Sequence, residues 1–292
     1  MTESKLSAPR LELIGAMLIF GTIGIFVHYI PLTSGVIALA RAVLGAAFLI
    51  CVMAVRRVSV PWKAVRRCAP LLCLSGACIG FNWILLFEAY RYTSVQVATL
   101  CYYMAPVFIT LLSPVVLHER LTAAKLVCVA AALIGMGLIS GADISGNVGF
   151  TGILLGLGAA VLYACVVLMN KKLHGLGPFD TTVVQLLSAA VVLLPYTLLT
   201  GNLSAVSITP MAAVLLVIVG IVHTGVAYTL YFSSMRFIRA QTSAIFSYID
   251  PVTTIILSAL VLGEKMTPMS IAGAALILAS TLASELWAQR RA

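Results

Sequence analysis

The sequence predicts an all-α integral membrane protein of ten transmembrane helices, arranged as two inverted five-helix repeats. Three observations carry that expectation. Apolar residues make up 62% of the 292 and charged residues only 9%, with a mean hydropathy of +1.11, whereas a soluble domain carries roughly 25% charged residues. Ten apolar stretches follow one another, each near the roughly 20 residues that take a helix across a hydrocarbon core about 30 Å thick. Finally, residues 225–267 repeat residues 80–122 with 14 of 43 aligned positions identical.

The spans are expected near 11–30, 34–55, 68–90, 94–116, 122–140, 149–169, 179–200, 209–234, 240–262 and 268–287. Basic residues mark their ends in order. Lys5 and Arg10 precede the first span, and the turn Pro31-Leu32-Thr33-Ser34-Gly35 joins it to the second. Arg56, Arg57, Lys63, Arg66 and Arg67 separate the second and third. Arg91 follows the third, Arg120 and Lys125 flank the start of the fifth, and Lys171 and Lys172 follow the sixth. Arg236 and Arg239 lie between the eighth and ninth, Lys265 before the tenth, and Arg290 and Arg291 after it. Thr267-Pro268 reads as an N-cap followed by proline at the first helical position. With both termini cytoplasmic, fifteen of the eighteen basic residues fall on the cytoplasmic side, as the retention of Lys and Arg there predicts. Arg91 and Lys265 fall on the far side and Arg41 within a span.

That distribution accounts for the net charge of +9 without a nucleic-acid partner. The first span has full length and no cleavage site follows it, so it reads as retained rather than as a removable signal. The seven cysteines lack paired metal-ligand spacing and read as small packing residues; no cofactor or metal is called for. No room is left for a soluble domain, so function has to reside within the bundle.

In the duplication Gly80 meets Gly225, Phe87 meets Phe232, Arg91 meets Arg236, Gln96 meets Gln241, Tyr103 meets Tyr248, Pro106 meets Pro251, Ser113 meets Ser258 and Glu119 meets Glu264. The boundary is expected at 146/147, giving repeats 1–146 and 147–292. Because five is odd, the second copy crosses in the opposite sense. Such inverted pairs support alternating access, each half adopting in turn the conformation of its twin.

The paired segments APVFITLLSPVVLHERLT and DPVTTIILSALVLGEKMT resemble the twin units of the drug/metabolite transporter superfamily, in its EamA-like ten-helix branch. The layout is similar to that of the bacterial aromatic-amino-acid exporters of the branch. The resemblance implies export of amino acids and related metabolites across the bacterial inner membrane. It also implies a central cavity lined by spans 1, 3, 4, 6, 8 and 9, and an acidic residue before the second proline.

Candidate site residues follow from what is unusual at depth. Pro106 and Pro251 each free a carbonyl one turn back and are read as paired hinges beside the cavity, with static kinks the alternative. Tyr102 and Tyr103, Phe246 and Tyr248 stand near them, and Trp83 aligns with Tyr228. Mid-span tyrosine hydroxyls need partners. Asn82, Thr99, His223, Thr224 and Ser247 add polar groups able to hold a zwitterion, although interhelical bonding is equally open for each. The substrate-binding set is therefore Asn82, Trp83, Thr99, Tyr102, Tyr103, His223, Tyr228, Ser247, Tyr248 and Asp250. Asp250 has Ala105 as its twin, and three roles stand open: a site for substrate ammonium or a proton, a structural partner for a hydroxyl or His223, and a protonated bystander. Arg41 could attract a substrate carboxylate, but near the end of its span it is expected rather to snorkel or pair with an acid, and Glu88 is expected to pair with Arg91 on one helix face. Gly76 with Gly80, and Gly152 with Gly156, permit tight crossings within the bundle or at a dimer face.

An enzyme is not expected: no clear second intramembrane aspartate joins Asp250, and no serine sits in a nucleophile motif beside His28 or His223. The favoured function is export of amino acids with aromatic and other apolar side chains, by a monomer or homodimer in the lipid bilayer. Exporters of small drug-like cations, and translocators of organic phosphates or nucleotide sugars, are the alternatives. The latter call for several cavity cations, where the spans offer Arg41.

Overall fold

The computed structural model describes residues 3–118, 121–143, 147–200, 208–235, 237–238 and 240–290. Glu119, Arg120, Arg236, Arg239 and Arg291 lie outside the described residues. The order is α1 (Glu3–His28), α2 (Ser34–Val55), α3 (Trp62–Tyr92), α4 (Val95–Tyr102), α5 (Ala105–Leu117), α6 (Ala123–Asp143), α7 (Asn147–Asn170) and α8 (Pro178–Thr200). It continues with α9 (Pro210–Val217), a π-helical segment (Ile218–Val226), α10 (Ala227–Met235), α11 (Ala240–Ser247), α12 (Ile249–Val261) and α13 (Pro268–Arg290). These form ten helical segments, five per repeat. Seven are long and apolar enough to cross a membrane; the apolar helices at 123–139, 245–261 and 268–284 are shorter.

Hydroxyl caps open several of them. Thr33 accepts from the Val36 amide (3.5 Å), Ser94 from Val97 (3.2 Å), Thr209 from Ala212 (3.2 Å) and Thr267 from Ser270 (3.1 Å). Each satisfies a donor that the first turn leaves without an intrahelical acceptor. At α4 the capping extends further. Glu264, from the other repeat, takes the Val95 amide on Oε1 (2.8 Å) and the Gln96 amide on Oε2 (3.2 Å).

Three spans depart from a continuous α-helix, two of them at the prolines read as hinges. The span at 94–116 breaks after Tyr102 and resumes at Ala105, and the one at 240–262 breaks at Tyr248. In each the break comes just before a proline, which has no amide to return to the carbonyl four residues back. For Pro251 that carbonyl is Ser247's, and the Tyr103 hydroxyl oxygen lies 3.5 Å from it. Pro114 and Pro195 lie inside continuous helices, so proline alone does not break a span here. The span at 209–234 widens instead, and its π-helical segment is held by side chains that bond five residues back. Thr224 Oγ1 donates to the Val219 carbonyl (3.2 Å), and His223 Nδ1 lies 3.4 Å from the Ile218 oxygen.

The halves are interleaved. α3 lies along α7 and α8, α2 along α8 and the π-helical segment, α1 against α10 and α12, and α6 against α13. The anticipated glycine pairs serve these internal crossings. Gly76 and Gly80 face α8 at Gln185 and Leu193, while a Cβ on Gly152 would come within 2.6 Å of Thr93 and one on Gly156 within 2.8 Å of Cys101. Polar groups cross the same boundary: Asn82 Nδ2 donates to the Ala159 carbonyl (2.5 Å) and Gln185 Nε2 to Ser75 Oγ (2.7 Å).

Candidate substrate-binding cavity

Where α4 meets α5 and α11 meets α12, the broken spans face one another across two adjoining cavity lobes of about 260 and 370 Å³. Both lobes are lined by Phe20, Trp83, Tyr102, Tyr103, Tyr163, Tyr228, Ser247 and Asp250. The smaller adds Arg41, Tyr90, Thr99 and Pro106; the larger adds Asn82, Asn170, Gln185 and Tyr231.

Six of the eight residues common to both lobes are aromatic. Tyr102 lies 5.4 Å from Tyr163 and 6.3 Å from Tyr103, and Tyr228 lies 5.5 Å from Phe20 and 5.7 Å from Phe232, between ring centroids. These tilted and edge-on contacts suit the charge distribution of the rings and fix each against its neighbour.

The charged groups are set into this wall. Asp250, in the first turn of α12, accepts from the Tyr103 hydroxyl on Oδ2 at 2.9 Å. Its other oxygen has no hydrogen-bond partner among the described residues. Tyr103 therefore reaches from one repeat to both the carboxylate and the freed Ser247 carbonyl of the other. Arg41 is only 6% exposed, with its Cζ 4.1 Å from the Trp83 ring centroid and Nε donating to Thr224 Oγ1 at 2.8 Å. The expected snorkelling or acid pairing of Arg41 does not occur: the chain holds the guanidinium inward, over an indole and against the π-helical segment. An ion pair is found instead where it was anticipated, with Arg91 Nε 3.9 Å from Glu88 Oε2, which also accepts from Ser34 Oγ at 2.5 Å.

A ten-segment bundle made of two repeats, with broken spans around a central cavity, is an architecture of carriers. The EamA-like transporter family model matches residues 11–141 and again 150–284. The chain belongs to the EamA-like transporter family.

Relatives of this EamA-like transporter include the uncharacterized transporter YxxF of Bacillus subtilis, 29% identical over 91% of this chain and 85% of that protein. The probable amino-acid metabolite efflux pump of Salmonella typhimurium is 29% identical over 60% of this chain and 62% of its own length. A solved crystal structure with 20% identity superposes with a TM-score of 0.68, covering 97% of this chain and 99% of that one, which speaks to the fold.

Of the residues anticipated in the transporter's site, Asn82, Trp83, Thr99, Tyr102, Tyr103, Tyr228, Ser247, Asp250 and Pro106 line one or both lobes. His223, Tyr248 and Pro251 line neither. His223 Nε2 lies 2.8 Å from Thr22 Oγ1 with its ring edge-on to Phe26, tying the π-helical segment to α1. It is Tyr103, not His223, that engages Asp250. The Tyr248 hydroxyl turns away to donate to Thr281 Oγ1 on α13 at 2.8 Å. Pro251 is buried. The lining also draws on the second and seventh spans, through Arg41 and Gln185, beyond the six spans the resemblance implies. Phe20, Tyr90 and Tyr163 join the wall without having been singled out. Tyr163 has Leu18 as its twin, so the repeat gave no signal for it.

Proposed function

We propose that this protein exports amino acids, aromatic and other apolar ones favoured, by alternating access between two inverted halves, 1–146 and 147–292. The observation that carries the reading is Asp250: a carboxylate with one uncommitted oxygen, set in a cavity to which tyrosine, tryptophan and phenylalanine rings contribute. A substrate ammonium binds that oxygen and its side chain packs on the rings. An apolar enclosure with a few placed polar groups is the usual make-up of a small-molecule site, and about 370 Å³ for one lobe falls within the roughly 300–1,000 Å³ usual for one. The name of the Salmonella efflux pump supports both the substrate class and the outward direction.

Pro106 and Pro251 act as the hinges, because at those points the spans already lack continuous hydrogen bonding. The protein sits in a bacterial inner membrane with both termini cytoplasmic, a reading supported by the fifteen basic residues on that side. Tags at either terminus should resist protease added to intact spheroplasts.

Counterflow in proteoliposomes tests the function. Labelled phenylalanine, tyrosine and leucine should exchange with unlabelled amino acid, whereas a quaternary ammonium dye and a phosphosugar should not. Exchange of the dye or the phosphosugar without amino-acid exchange would sink the proposal. Asp250→Asn should lower amino-acid counterflow by about tenfold or more, because it removes the counter-charge of a desolvated ammonium.

A further inference from the structure

The guanidinium of Arg41 poses a separate question. It is nine-tenths buried and lines the smaller lobe. Its Nε is spent on Thr224, yet its two terminal nitrogens carry no hydrogen bond and no ion pair among the described residues. A buried cation is costly unless a counter-charge or hydrogen-bond acceptors meet it. The surroundings fix its direction rather than neutralise it. Trp83 stacks beneath the plane at 4.1 Å, Phe87 lies 5.9 Å away, and Thr224 holds Nε from a helix widened at that point. Held on one face and one edge, the guanidinium presents its remaining donors to the cavity as a planar fork. Such a fork matches the two oxygens of a carboxylate.

Asp250 lines the same lobe and does not pair with Arg41. Opposite charges sharing one apolar cavity without contact leave room for a ligand carrying the complementary pair.

We propose that Arg41 is the carboxylate anchor of the substrate site, and that the transported species carries a free α-carboxylate as well as an ammonium. The inference rests on the amino-acid reading above and narrows it: amines and amino-acid amides, which present the same side chain and ammonium to Asp250, bind poorly. Trp83 acts as a positioning residue, since it sets the plane of the fork.

The test is equilibrium binding to the purified full chain, with phenylalanine, phenylalaninamide and 3-phenylpropionate as probes. For the unaltered protein, phenylalanine should bind about tenfold or more tighter than its amide. Arg41→Gln should weaken phenylalanine to the level of the amide while leaving the amide's own affinity within about twofold. Asp250→Asn should do the converse, weakening phenylalanine and its amide while sparing 3-phenylpropionate. Should Arg41→Gln fail to fold, Arg41→Lys decides: it keeps the charge but loses the fork, so the preference for phenylalanine over its amide should shrink several-fold without vanishing. Equal binding of phenylalanine and its amide to the unaltered protein overturns the assignment of Arg41 and leaves the amino-acid reading standing. So does a preference that survives Arg41→Gln and Arg41→Lys. Binding of none of the three probes, by contrast, overturns the amino-acid reading and this inference with it.

Discussion

Tyr103 is the side chain on which most of the site converges. Its hydroxyl reaches Asp250 Oδ2 at 2.9 Å and the Ser247 carbonyl at 3.5 Å, joining the two repeats at their breaks. A hydrogen bond to a charged group contributes about 1.5–3 kcal/mol, so Tyr103→Phe should lower amino-acid counterflow by about tenfold while the ring still fills its place. An unchanged rate would reduce Tyr103 to packing. Its twin Tyr248 bonds Thr281 instead, and Tyr248→Phe should cost about 1 kcal/mol of stability, read as a lower midpoint of thermal unfolding, with transport kept. The contrast shows what a repeat reveals and what it conceals. Alignment marked both tyrosines because they share a register, but register does not say which way a hydroxyl turns in a bundle whose halves differ in their neighbours. Arg41 was visible as the one arginine within a span; its surroundings were not, because Trp83 and Thr224 stand 42 and 183 positions away along the chain. Tyr163 carried no local mark, since an aromatic residue in an apolar helix is ordinary until its neighbours are known.

At the scale of the element, the sequence read helix existence well and helix continuity poorly. Apolar length set all ten segments, because a bilayer leaves a spanning chain few choices other than helix. The breaks at Tyr103 and Tyr248 come just before prolines that a local window does not tell apart from Pro114 and Pro195 inside unbroken helices, and the π-helical segment is held by Thr224 and His223 bonding five residues back, which apolar length does not announce. Pro251→Ala returns an amide to the Ser247 carbonyl and removes the reason for the break. It should raise the unfolding midpoint or leave it unchanged, and slow counterflow several-fold if the break serves as a hinge; full transport by the straightened variant would deny that role. Glu264 reaches across the repeats to hold the first two amides of α4. Glu264→Gln should therefore lose about 1 kcal/mol, a typical capping contribution, measured by denaturation in detergent.

For the whole molecule, the decisive feature is that the tightest contacts run between repeats rather than within them. The glycine spacings were legible as close crossings, and the choice between an internal crossing and a dimer face was not, because spacing carries no partner. Gly152→Leu places a branched side chain where a Cβ already meets Thr93, and overpacking of this kind costs about 1–3 kcal/mol. Gly137, with nothing within 4 Å of an added Cβ, is the matched control. Gly152→Leu should lower the unfolding midpoint by several degrees and Gly137→Leu should leave it in place, both followed by tryptophan fluorescence.

This interleaving also bears on how the chain is made. Synthesis delivers residue 82 long before residue 159, Ser75 before Gln185, and the start of α4 before Glu264. Until those partners arrive, the amide of Asn82 and the first amides of α4 lack the acceptors they hold in the finished protein, and in hydrocarbon each such group is costly. The early spans therefore cannot settle as a finished unit. Their final packing waits on spans that are made later.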